Sequence, residues 1–490
     1  MKRDSKIESK LEILPICVDL DGTLVATDTL YESFLALLAY KPLTLFDCLG
    51  WISKGKAVFK SKLSNAQKID IENLPWNESL LDWLKLRKAA GHKIVLATAA
   101  DQSIALAAQK HLGIFDQVFC SDGSSNLKGK CKGQALVHEF GERGFIYVGD
   151  SKVDLPVWRD AAGAVVVEVK DRLRKKVEAC SPLLASFQSS ENLNEGSFVL
   201  LRPKQWIKNL LVFVPIIASG QWWDLKGWLT TAGVFFAFSL VASGTYIIND
   251  LLDIQADRHH FKKKKRPIAS GKISIPRSLC ILFLTVASGF LIGWQLEVFP
   301  VIFAYVLVTL CYSLFLKAKF LLDVFALAFL YLIRIYAGAD VADHSVSIWL
   351  FSFGMFVFLG LAMMKRVAEL MKSEGSRSLR RRGYKIIDVN ILTIAGICSA
   401  FASALILFMY FRFNETSSVF KGQQTLFLSV PVILYWQLRC WRAVEVGVLD
   451  NDPIAFATSD KPSRIILGIL LIIIICARFG NDFYFPHLYS

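Results

Sequence analysis

Long apolar segments recur through the second half of this 490-residue chain. One of them, VFFAFSLVASGTYII, ends at Ile248, and similar runs follow it. A helix needs about 20 apolar residues to cross a bilayer, and its backbone polar groups must be bonded internally. The pattern therefore predicts an all-α polytopic membrane bundle in the C-terminal part. We place about nine spans, at 206–221, 228–248, 278–295, 298–316, 321–339, 347–364, 390–411, 425–439 and 464–480.

The N-terminal part has the composition of a soluble domain, although the chain as a whole is 54% hydrophobic with a net charge of +14. Its first residues, MKRDSKIESKLEILP, are charged and lack a signal-peptide core, so we expect this domain to stay in the cytosol. The ten cysteines show no paired spacing, which argues against a disulfide framework. We predict a soluble domain at 1–168, a basic helix and linker at 169–195, and a membrane domain at 196–490.

Basic residues are unevenly distributed between the predicted spans. The segments 249–277 and 365–389 are rich in Lys and Arg, whereas 340–346 contains neither. Loops rich in Lys and Arg face the cytosol in most membrane proteins. We therefore expect a multi-pass protein of the inner membrane, with its N-terminal domain and these loops on the cytosolic side. The run Lys262–Lys265 could serve as a topology anchor alone.

Acidic residues cluster where the second predicted span ends. Asn249, Asp253 and Asp257 are spaced i, i+4, i+8, and Asp250 lies beside them. If the helix continues, the three share one face. Carboxylates oppose the dipole at a helix C-terminus, so the cluster needs another reason to be there. Mg²⁺ commonly binds one or two carboxylates together with phosphate oxygens, which predicts a Mg²⁺–diphosphate site; the alternative is a solvated acidic turn.

This region resembles the UbiA-type intramembrane prenyltransferases over about 195–490. The matching motifs occur in order: LRPKQWIKN, NDxxDxxxD from Asn249 to Asp257, PIASGKIS and YSLFLK. A second Asp-rich motif of that family is replaced by MMKRVAEL, with Glu369 and Glu374 as the nearby acids. Together with DNDPIAFATSD, these motifs are most similar to the decaprenyl-phosphate phosphoribosyltransferases.

The resemblance implies transfer of phosphoribose from phosphoribosyl pyrophosphate to a polyprenyl phosphate. The alternative is transfer of a prenyl group from a prenyl diphosphate to an aromatic or other hydrophobic acceptor. Implied metal ligands are Asn249, Asp250, Asp253 and Asp257, with Glu369 as a second acidic element. Implied substrate-binding residues are Lys204, Lys208, Asn209, Tyr312, Lys317, Lys365 and Arg366, although each basic residue could instead be an interfacial anchor. Asp323 and Arg334 lie within an apolar run, where ionisable residues are candidates for function; a structural role is equally open for Arg334.

Four motifs in the N-terminal part resemble the haloacid dehalogenase superfamily of phosphotransferases. They read ICVDLDGTLV, KIVLATAADQ, LKGKCKGQAL and FIYVGDSKVDLPVW, in the order of that superfamily. The resemblance implies an α/β, Rossmann-like parallel sheet with a small helical cap at about 27–85.

Parallel strands present ligands at their carboxyl ends, where these motifs place acidic residues. Asp19 would attack phosphorus and Asp21 would act as general acid and base. Thr98 and Lys132 would hold the phosphoryl oxygens, with Lys128 and Lys130 as alternatives to Lys132. Asp19, Asp150 and the carbonyl of Asp21 would hold Mg²⁺. The alternative is a phosphate-binding domain without catalysis.

The two halves together suggest sequential steps on one lipid, in which the N-terminal domain removes the 5-phosphate of the transferase product. The expected partners are a polyprenyl phosphate or prenyl diphosphate, phosphoribosyl pyrophosphate and membrane lipid, with no nucleic acid. The competing class is a transporter or scaffold with a vestigial phosphatase.

Overall fold

The computed structural model describes residues 14–122, 126–188, 193–220, 222–342, 347–372, 383–413, 420, 422–449 and 453–479. The chain forms two compact units. The first combines Met1–Leu201 with Tyr246–Leu282, and the second combines Arg202–Thr245 with Phe283–Ser490. We call Tyr246–Leu282 the aspartate segment. The predicted boundaries of the three sequence domains stay predictions, but the aspartate segment packs with the N-terminal residues.

A six-stranded parallel sheet forms the centre of the first unit. Its spatial order is β3-β2-β1-β4-β5-β6, so β1 lies between β2 and β4. The apolar strands β1, β2, β4 and β5 are almost fully buried, as expected for a parallel sheet covered on both faces. The strands are β1 (Ile16–Val18), β2 (Ile94–Asp101), β3 (Gln117–Ser121), β4 (Ile146–Gly149), β5 (Gly163–Val167) and β6 (Leu183–Phe187).

Helices connect the strands and build the cap. Three of them, α1 (Thr29–Tyr40), α2 (Leu45–Ile52) and α3 (Lys56–Ala66), follow β1 and pack around Leu37, Cys48 and Leu63. This confirms the predicted α/β domain with a small helical cap. The remaining helices before the membrane region are α4 (Glu78–Ala89), α5 (Gln102–Leu112), α6 (Lys130–Phe140), α7 (Leu155–Asp160), α8 (Asp171–Glu178) and α9 (Leu193–Leu200).

The rest of the chain is helical, as predicted for a membrane bundle. It begins with a 3₁₀ segment, Pro203–Phe213, which is followed by α10 (Val214–Ala218). The later helices are α11 (Leu225–Leu252), α12 (Ile254–His259), α13 (Ile275–Gln295), α14 (Phe299–Leu314), α15 (Leu322–Val341), α16 (Ile348–Met371), α17 (Asp388–Phe413), α18 (Gln423–Leu426), α19 (Ser429–Glu445), α20 (Pro453–Ser459) and α21 (Lys461–Phe479).

Six helices among the described residues are long and apolar enough to cross a membrane: α11, α13, α15, α16, α17 and α21. The nine predicted spans are therefore not confirmed as a set. The candidate at 206–221 is divided into the 3₁₀ segment and a short helix, with Pro203 and Pro215 at their starts. The candidate at 298–316 is the 16-residue α14. The candidate at 425–439 is split between α18 and α19, and the 17-residue α19 carries Arg439 and Arg442.

Close backbone packing holds the 3₁₀ segment in the second unit. A Cβ added at Gly338 of α15 would lie 1.9 Å from the carbonyl oxygen of Val212. A side chain at this position would therefore push the two elements apart. This approach brings polar residues of the 3₁₀ segment against α15, as described below.

Candidate active sites

Acidic residues converge at the carboxyl ends of two neighbouring strands in the first unit. Asp19 follows β1 and Asp150 follows β4, and these strands are adjacent in the sheet. Asp19, Asp150 and Asp154 each offer an oxygen within 4.8 Å of the others. We call this arrangement, with Asp21 and Lys132, the strand-end site. Its oxygen-only donor set fits a hard divalent cation such as Mg²⁺.

Lys132 reaches this site from α6. Its Nζ lies 2.8 Å from Asp19 Oδ2 and donates to the Tyr147 hydroxyl at 2.9 Å. The side chain is 2% exposed, whereas the alternatives Lys128 and Lys130 are both exposed. The geometry therefore favours Lys132 for the predicted contact with a phosphoryl group. The Tyr147 hydroxyl in turn donates to Asp154 at 2.9 Å. The sequence does not single out Tyr147, because a tyrosine within a strand carries no motif signal.

Burial, and after it the charge of neighbouring carboxylates, raises the pKa of the acids in the strand-end site. Burial, followed by the negative charge of Asp28, raises the pKa of Asp21 to about 7. Burial, followed by the charges of Asp19 and Asp154, raises the pKa of Asp150 to about 8. Burial also raises the pKa of Asp19, although the Lys132 ammonium opposes the shift. When ionised, these carboxylates would carry more negative charge than the Lys132 ammonium offsets, and a divalent cation would favour the ionised form.

Thr98 is placed differently from its predicted role. It lies in β2, is fully buried, and its Oγ1 accepts a hydrogen bond from Ala100 N at 3.0 Å. Ala99, Ala100 and Asp101, rather than Thr98, contribute to the wall of the cavity beside the strand-end site, which is described below. The Thr98 hydroxyl thus bonds to the backbone within the last residues of β2, and its contact with phosphate stays a prediction.

A cavity of about 640 Å³ opens between the strand-end site and the cap. Lys60 of α3 reaches into it and donates to the carbonyl oxygen of Ala99 at 2.7 Å. Burial lowers the pKa of Lys60, although Asp21 and Asp28 oppose the shift. Apolar side chains of the cap, among them Tyr31 and Phe59, complete the wall. Sequence analysis missed Lys60, because nothing distinguishes it from the other cap lysines.

The aspartate segment gathers its own acids around one arginine. Arg266 Nη1 donates to Asp250 Oδ1 at 2.9 Å and to Asp257 Oδ2 at 2.5 Å. The two carboxylates are buried, at 4% and 2% exposure. Burial raises the pKa of Asp257, against the opposing charges of Arg266 and Lys263. The two buried carboxylates thus share one positive group. Carboxylate pairs of this kind also suit a divalent cation.

The helix does not run unbroken through this motif. α11 ends at Leu252 and α12 begins at Ile254, with Asp253 between them. Asp253 N still bonds to the Asn249 carbonyl at 2.9 Å, and Asp257 N to the Asp253 carbonyl at 2.8 Å. The helical spacing is therefore kept across the break. Among the described residues, these aspartates do not form a three-ligand group like that of the strand-end site. Sequence analysis missed Arg266, because its place in a basic stretch suggested only a topology anchor.

In the second unit, Arg366 is held by a buried network. Its Nε donates to Asp323 Oδ2 and its Nη1 to Glu369 Oε2, both at 2.5 Å, and its Nη2 donates to the Tyr312 hydroxyl at 2.8 Å. Tyr384 donates to the other oxygen of Asp323. Arg366 is 1% exposed and lies inside this ion-pair network, and its predicted role as a direct phosphate contact stays a prediction. Glu369 binds the same guanidinium, and its role as a metal ligand also stays a prediction.

Asn209 also has internal partners rather than an open amide. Its Nδ2 donates to Ser239 Oγ at 3.0 Å, and its Oδ1 accepts from Arg334 Nε at 2.7 Å. Arg334 further donates to the Leu330 carbonyl and to the Tyr305 hydroxyl. These contacts give Asn209 and Arg334 structural partners, and the predicted substrate contact of Asn209 stays a prediction.

The other predicted substrate contacts come from several elements. Lys204 is exposed, whereas Lys208, Lys317 and Lys365 are half-buried. Their binding roles stay predictions. Glu374 and the beginning of the DNDPIAFATSD motif lie outside the described residues.

Comparison with known proteins identifies both halves of the chain. The model of the UbiA prenyltransferase family matches residues 211–448, and that of the haloacid dehalogenase-like hydrolases matches residues 16–159. Uncharacterized protein y4nM of Sinorhizobium fredii is 36% identical over 462 residues, which cover 92% of this chain and 88% of that protein. Nodulation protein NoeC of Azorhizobium caulinodans is 32% identical over 281 residues, covering 55% of this chain and 89% of that protein.

A third relative carries the name of an enzyme. Decaprenyl-phosphate phosphoribosyltransferase of Mycolicibacterium smegmatis is 31% identical over 287 residues, which cover 56% of this chain and 90% of that protein. These matches confirm both resemblances drawn from the motifs. The protein is thus an integral membrane member of the UbiA prenyltransferase family that also carries a haloacid dehalogenase-like hydrolase domain.

Proposed function

We propose that the membrane domain transfers 5-phosphoribose from phosphoribosyl pyrophosphate to a polyprenyl phosphate. An oxygen of the lipid phosphate attacks the anomeric carbon, and the bond from that carbon to pyrophosphate breaks. The pyrophosphate leaves with the bonding electrons. The resemblance to the phosphoribosyltransferase of Mycolicibacterium smegmatis over 90% of its length supports this choice of substrates.

The observation that carries the proposal is the meeting of Asp250, Asp257 and Arg266 in the aspartate segment. Mg²⁺ bound by Asp250, Asp253 and Asp257 would neutralise charge on the pyrophosphate. Arg266 is placed to bind phosphate oxygens when a cation takes over the carboxylates, because a guanidinium matches the geometry of phosphate. The carboxylates and the guanidinium therefore supply the two charges that a magnesium–diphosphate needs.

We further propose that the N-terminal domain removes the 5-phosphate of the transferase product. Asp19 attacks phosphorus, and Asp21 protonates the departing sugar oxygen. Asp21 then takes a proton from the water that hydrolyses the aspartyl-phosphate. The raised pKa of Asp21, about 7, suits a group that must both give and accept a proton near neutral pH. Lys132 holds the phosphoryl oxygens beside Asp19.

The distribution of Lys and Arg supports an inner-membrane location with both sites on the cytosolic side. The phosphorylated sugar donor is a soluble, charged molecule that does not cross a bilayer unaided. A cytosolic face for both sites would therefore give each access to its substrate. Reporter fusions at residues of 340–346 and 383–389 would test this orientation.

The decisive test uses purified protein with Mg²⁺, polyprenyl phosphate and phosphoribosyl pyrophosphate. Pyrophosphate release and the lipid product are followed together by mass spectrometry. We expect the wild-type protein to form a ribosylated lipid without a 5-phosphate. Asp253→Asn should form no ribosylated lipid, and Asp19→Asn should form a lipid that retains the 5-phosphate. Turnover of a prenyl diphosphate with a hydrophobic acceptor, without ribosylation, would instead support the prenyl-transfer alternative. A wild-type protein that shows neither activity would favour a non-enzymatic role.

A further inference from the structure

A buried ion pair joins the cap to the aspartate segment within the first unit. Arg258 of α12 donates to Glu32 of α1 through both terminal nitrogens, Nη2 to Oε1 at 2.6 Å and Nη1 to Oε2 at 3.1 Å. The two side chains are 5% and 0% exposed. The third nitrogen, Nε, donates to the Ala269 carbonyl at 2.9 Å. Such a bidentate pair fixes orientation as well as distance.

A short series of contacts connects this ion pair to Asp21, the proposed general acid of the strand-end site. Thr27 Oγ1 donates to Glu32 Oε1 at 2.8 Å, and the Thr27 carbonyl accepts from Gly22 N at 3.1 Å. Thr29 N donates to Asp21 Oδ1 at 2.8 Å. Glu32 therefore holds Thr27 just before α1, and Thr29, the first residue of α1, orients the carboxyl group of Asp21.

Close packing leaves the loop before α1 little freedom to move apart from the aspartate segment. Gly271 has a φ of +76°, and a Cβ added there would lie 2.8 Å from both the Cβ and the carbonyl oxygen of Ala26. Leu35 of the cap packs in one apolar cluster with Ile254 and Ile268 of the segment. The backbones meet where a larger residue than glycine would not fit, so the loop and the segment pack as one surface.

We propose that Arg258 is a positioning residue for the phosphatase reaction. It acts through Glu32 to hold Thr27 and the start of α1 at Thr29, and thereby sets the direction in which Asp21 presents its carboxyl group. Arg258 follows Asp257 directly in the chain, so a residue next to the transferase motif supports the chemistry of the other domain. This inference rests on the proposed phosphatase roles of Asp19 and Asp21.

The test measures hydrolysis of p-nitrophenyl phosphate by the full chain in detergent with Mg²⁺. We expect Arg258→Ala and Glu32→Gln each to lower kcat by about 10-fold or more, because a small misplacement of a reacting group is costly, while KM changes by less than about two-fold. Arg258→Lys, which keeps the charge, should recover part of the loss. The double variant Glu32→Gln/Arg258→Ala should be no slower than the single ones, since both remove one interaction.

Asp70→Asn is the matched control. Asp70 Oδ2 lies 2.7 Å from Nε2 of His259, the neighbour of Arg258, but this pair is largely exposed. The change from acid to amide is the same as in Glu32→Gln, and it breaks a contact to the same helix. We expect kcat within about two-fold of the wild type, because exposed pairs contribute little. Unfolding midpoints identify any variant that fails to fold; Arg258→Lys and Glu32→Gln then replace Arg258→Ala.

Folded variants with the kcat of the wild type, or additive losses in the double variant, would overturn the proposal. A wild-type protein that does not hydrolyse the probe would refute the phosphatase function instead. In that case positioning is read from thermal stabilisation by Mg²⁺ with beryllium fluoride, which mimics an aspartyl-phosphate at Asp19. Stabilisation lost in Glu32→Gln and kept in Asp70→Asn supports positioning, and equal stabilisation in all variants contradicts it.

Discussion

Lys132 Nζ lies 2.8 Å from Asp19 Oδ2, and this contact joins helix α6 to the end of strand β1. Burial and the Asp19 carboxylate act in opposite directions on the pKa of Lys132, and the carboxylates prevail, so the pKa is raised. The ammonium is therefore charged at neutral pH and is positioned beside the proposed nucleophile.

We expect Lys132→Met to lower phosphatase kcat by about 100-fold, as removal of a single charge-stabilising donor does in other enzymes. The measurement is hydrolysis of p-nitrophenyl phosphate by the full chain. Lys130→Met is the matched control, because Lys130 lies two residues away on the same helix but is exposed. A larger loss in Lys128→Met than in Lys132→Met would assign the predicted contact to Lys128.

The acidic strand-end site predicts a stability that falls with rising pH in the absence of Mg²⁺. The pKa values of Asp21 and Asp150 are raised from an ordinary value of 3.8 to about 7 and about 8. The folded state therefore binds more protons than the unfolded state between these values. This contribution is fully present below pH 3.8 and is lost as pH rises through about 7 to 8.

Thermal unfolding of the full chain, followed from pH 5 upward with a chelator, checks this expectation. Added Mg²⁺ should remove most of the decline, because it favours the ionised carboxylates. Asp150→Asn should flatten the curve without metal. An unfolding midpoint that rises between pH 6 and pH 8 in chelator would contradict the assignment of raised pKa values.

The Asp323–Arg366 pair predicts an unequal response to single and double substitution. Asp323→Ala leaves a buried guanidinium without its carboxylate, and we expect a loss of about 3–5 kcal/mol in unfolding free energy. Replacing both residues, as in Asp323→Leu/Arg366→Met, should cost less than that single change. Denaturant unfolding in detergent measures both. Glu369→Gln is the control, because Glu369 is 17% exposed and should lose far less.

Asn209 offers a test that separates structural from substrate-binding roles. Asn209→Ala removes the acceptor of Arg334 Nε and the partner of Ser239, so we expect a destabilisation of about 1–3 kcal/mol. The KM for phosphoribosyl pyrophosphate should stay near the wild-type value. Lys204→Ala, at an exposed position of the same 3₁₀ segment, should leave the unfolding midpoint unchanged. A raised KM in Asn209→Ala at unchanged stability would instead support the predicted substrate contact.

Local sequence patterns predicted that Asp19 and Asp150 lie near each other, because both residues directly follow strands. The placement of Asp19 and Asp150 side by side needs only that β1 and β4 are neighbours in a parallel sheet. The role of Tyr147 could not be predicted in this way, since it depends on a contact with Lys132 across the sheet. The short strand β6 was also missed, because its residues alternate between half-buried and exposed at the edge of the sheet.

The membrane region was less predictable in detail, because hydropathy reports length and polarity but not partners. Arg366 lies next to a loop that was predicted to face the cytosol, which suggested phosphate binding. Its burial against Asp323 depends on the packing of α15 with α16, which no local pattern encodes. Arg266 is the converse case. It was counted among the charges that set the topology, but it is bound by two buried aspartates.

The aspartate segment belongs to the first unit, and this limits where the gene for such a two-domain protein can be divided. A gene cut after residue 195 would encode every acid of the strand-end site but not Arg258, and Glu32 would then become a buried carboxylate without its counter-charge. Leu35 would lose Ile254 and Ile268 and face water. The two sequence families are therefore no longer independent modules in this protein: recombination that exchanges one half must also bring a compatible surface on the other.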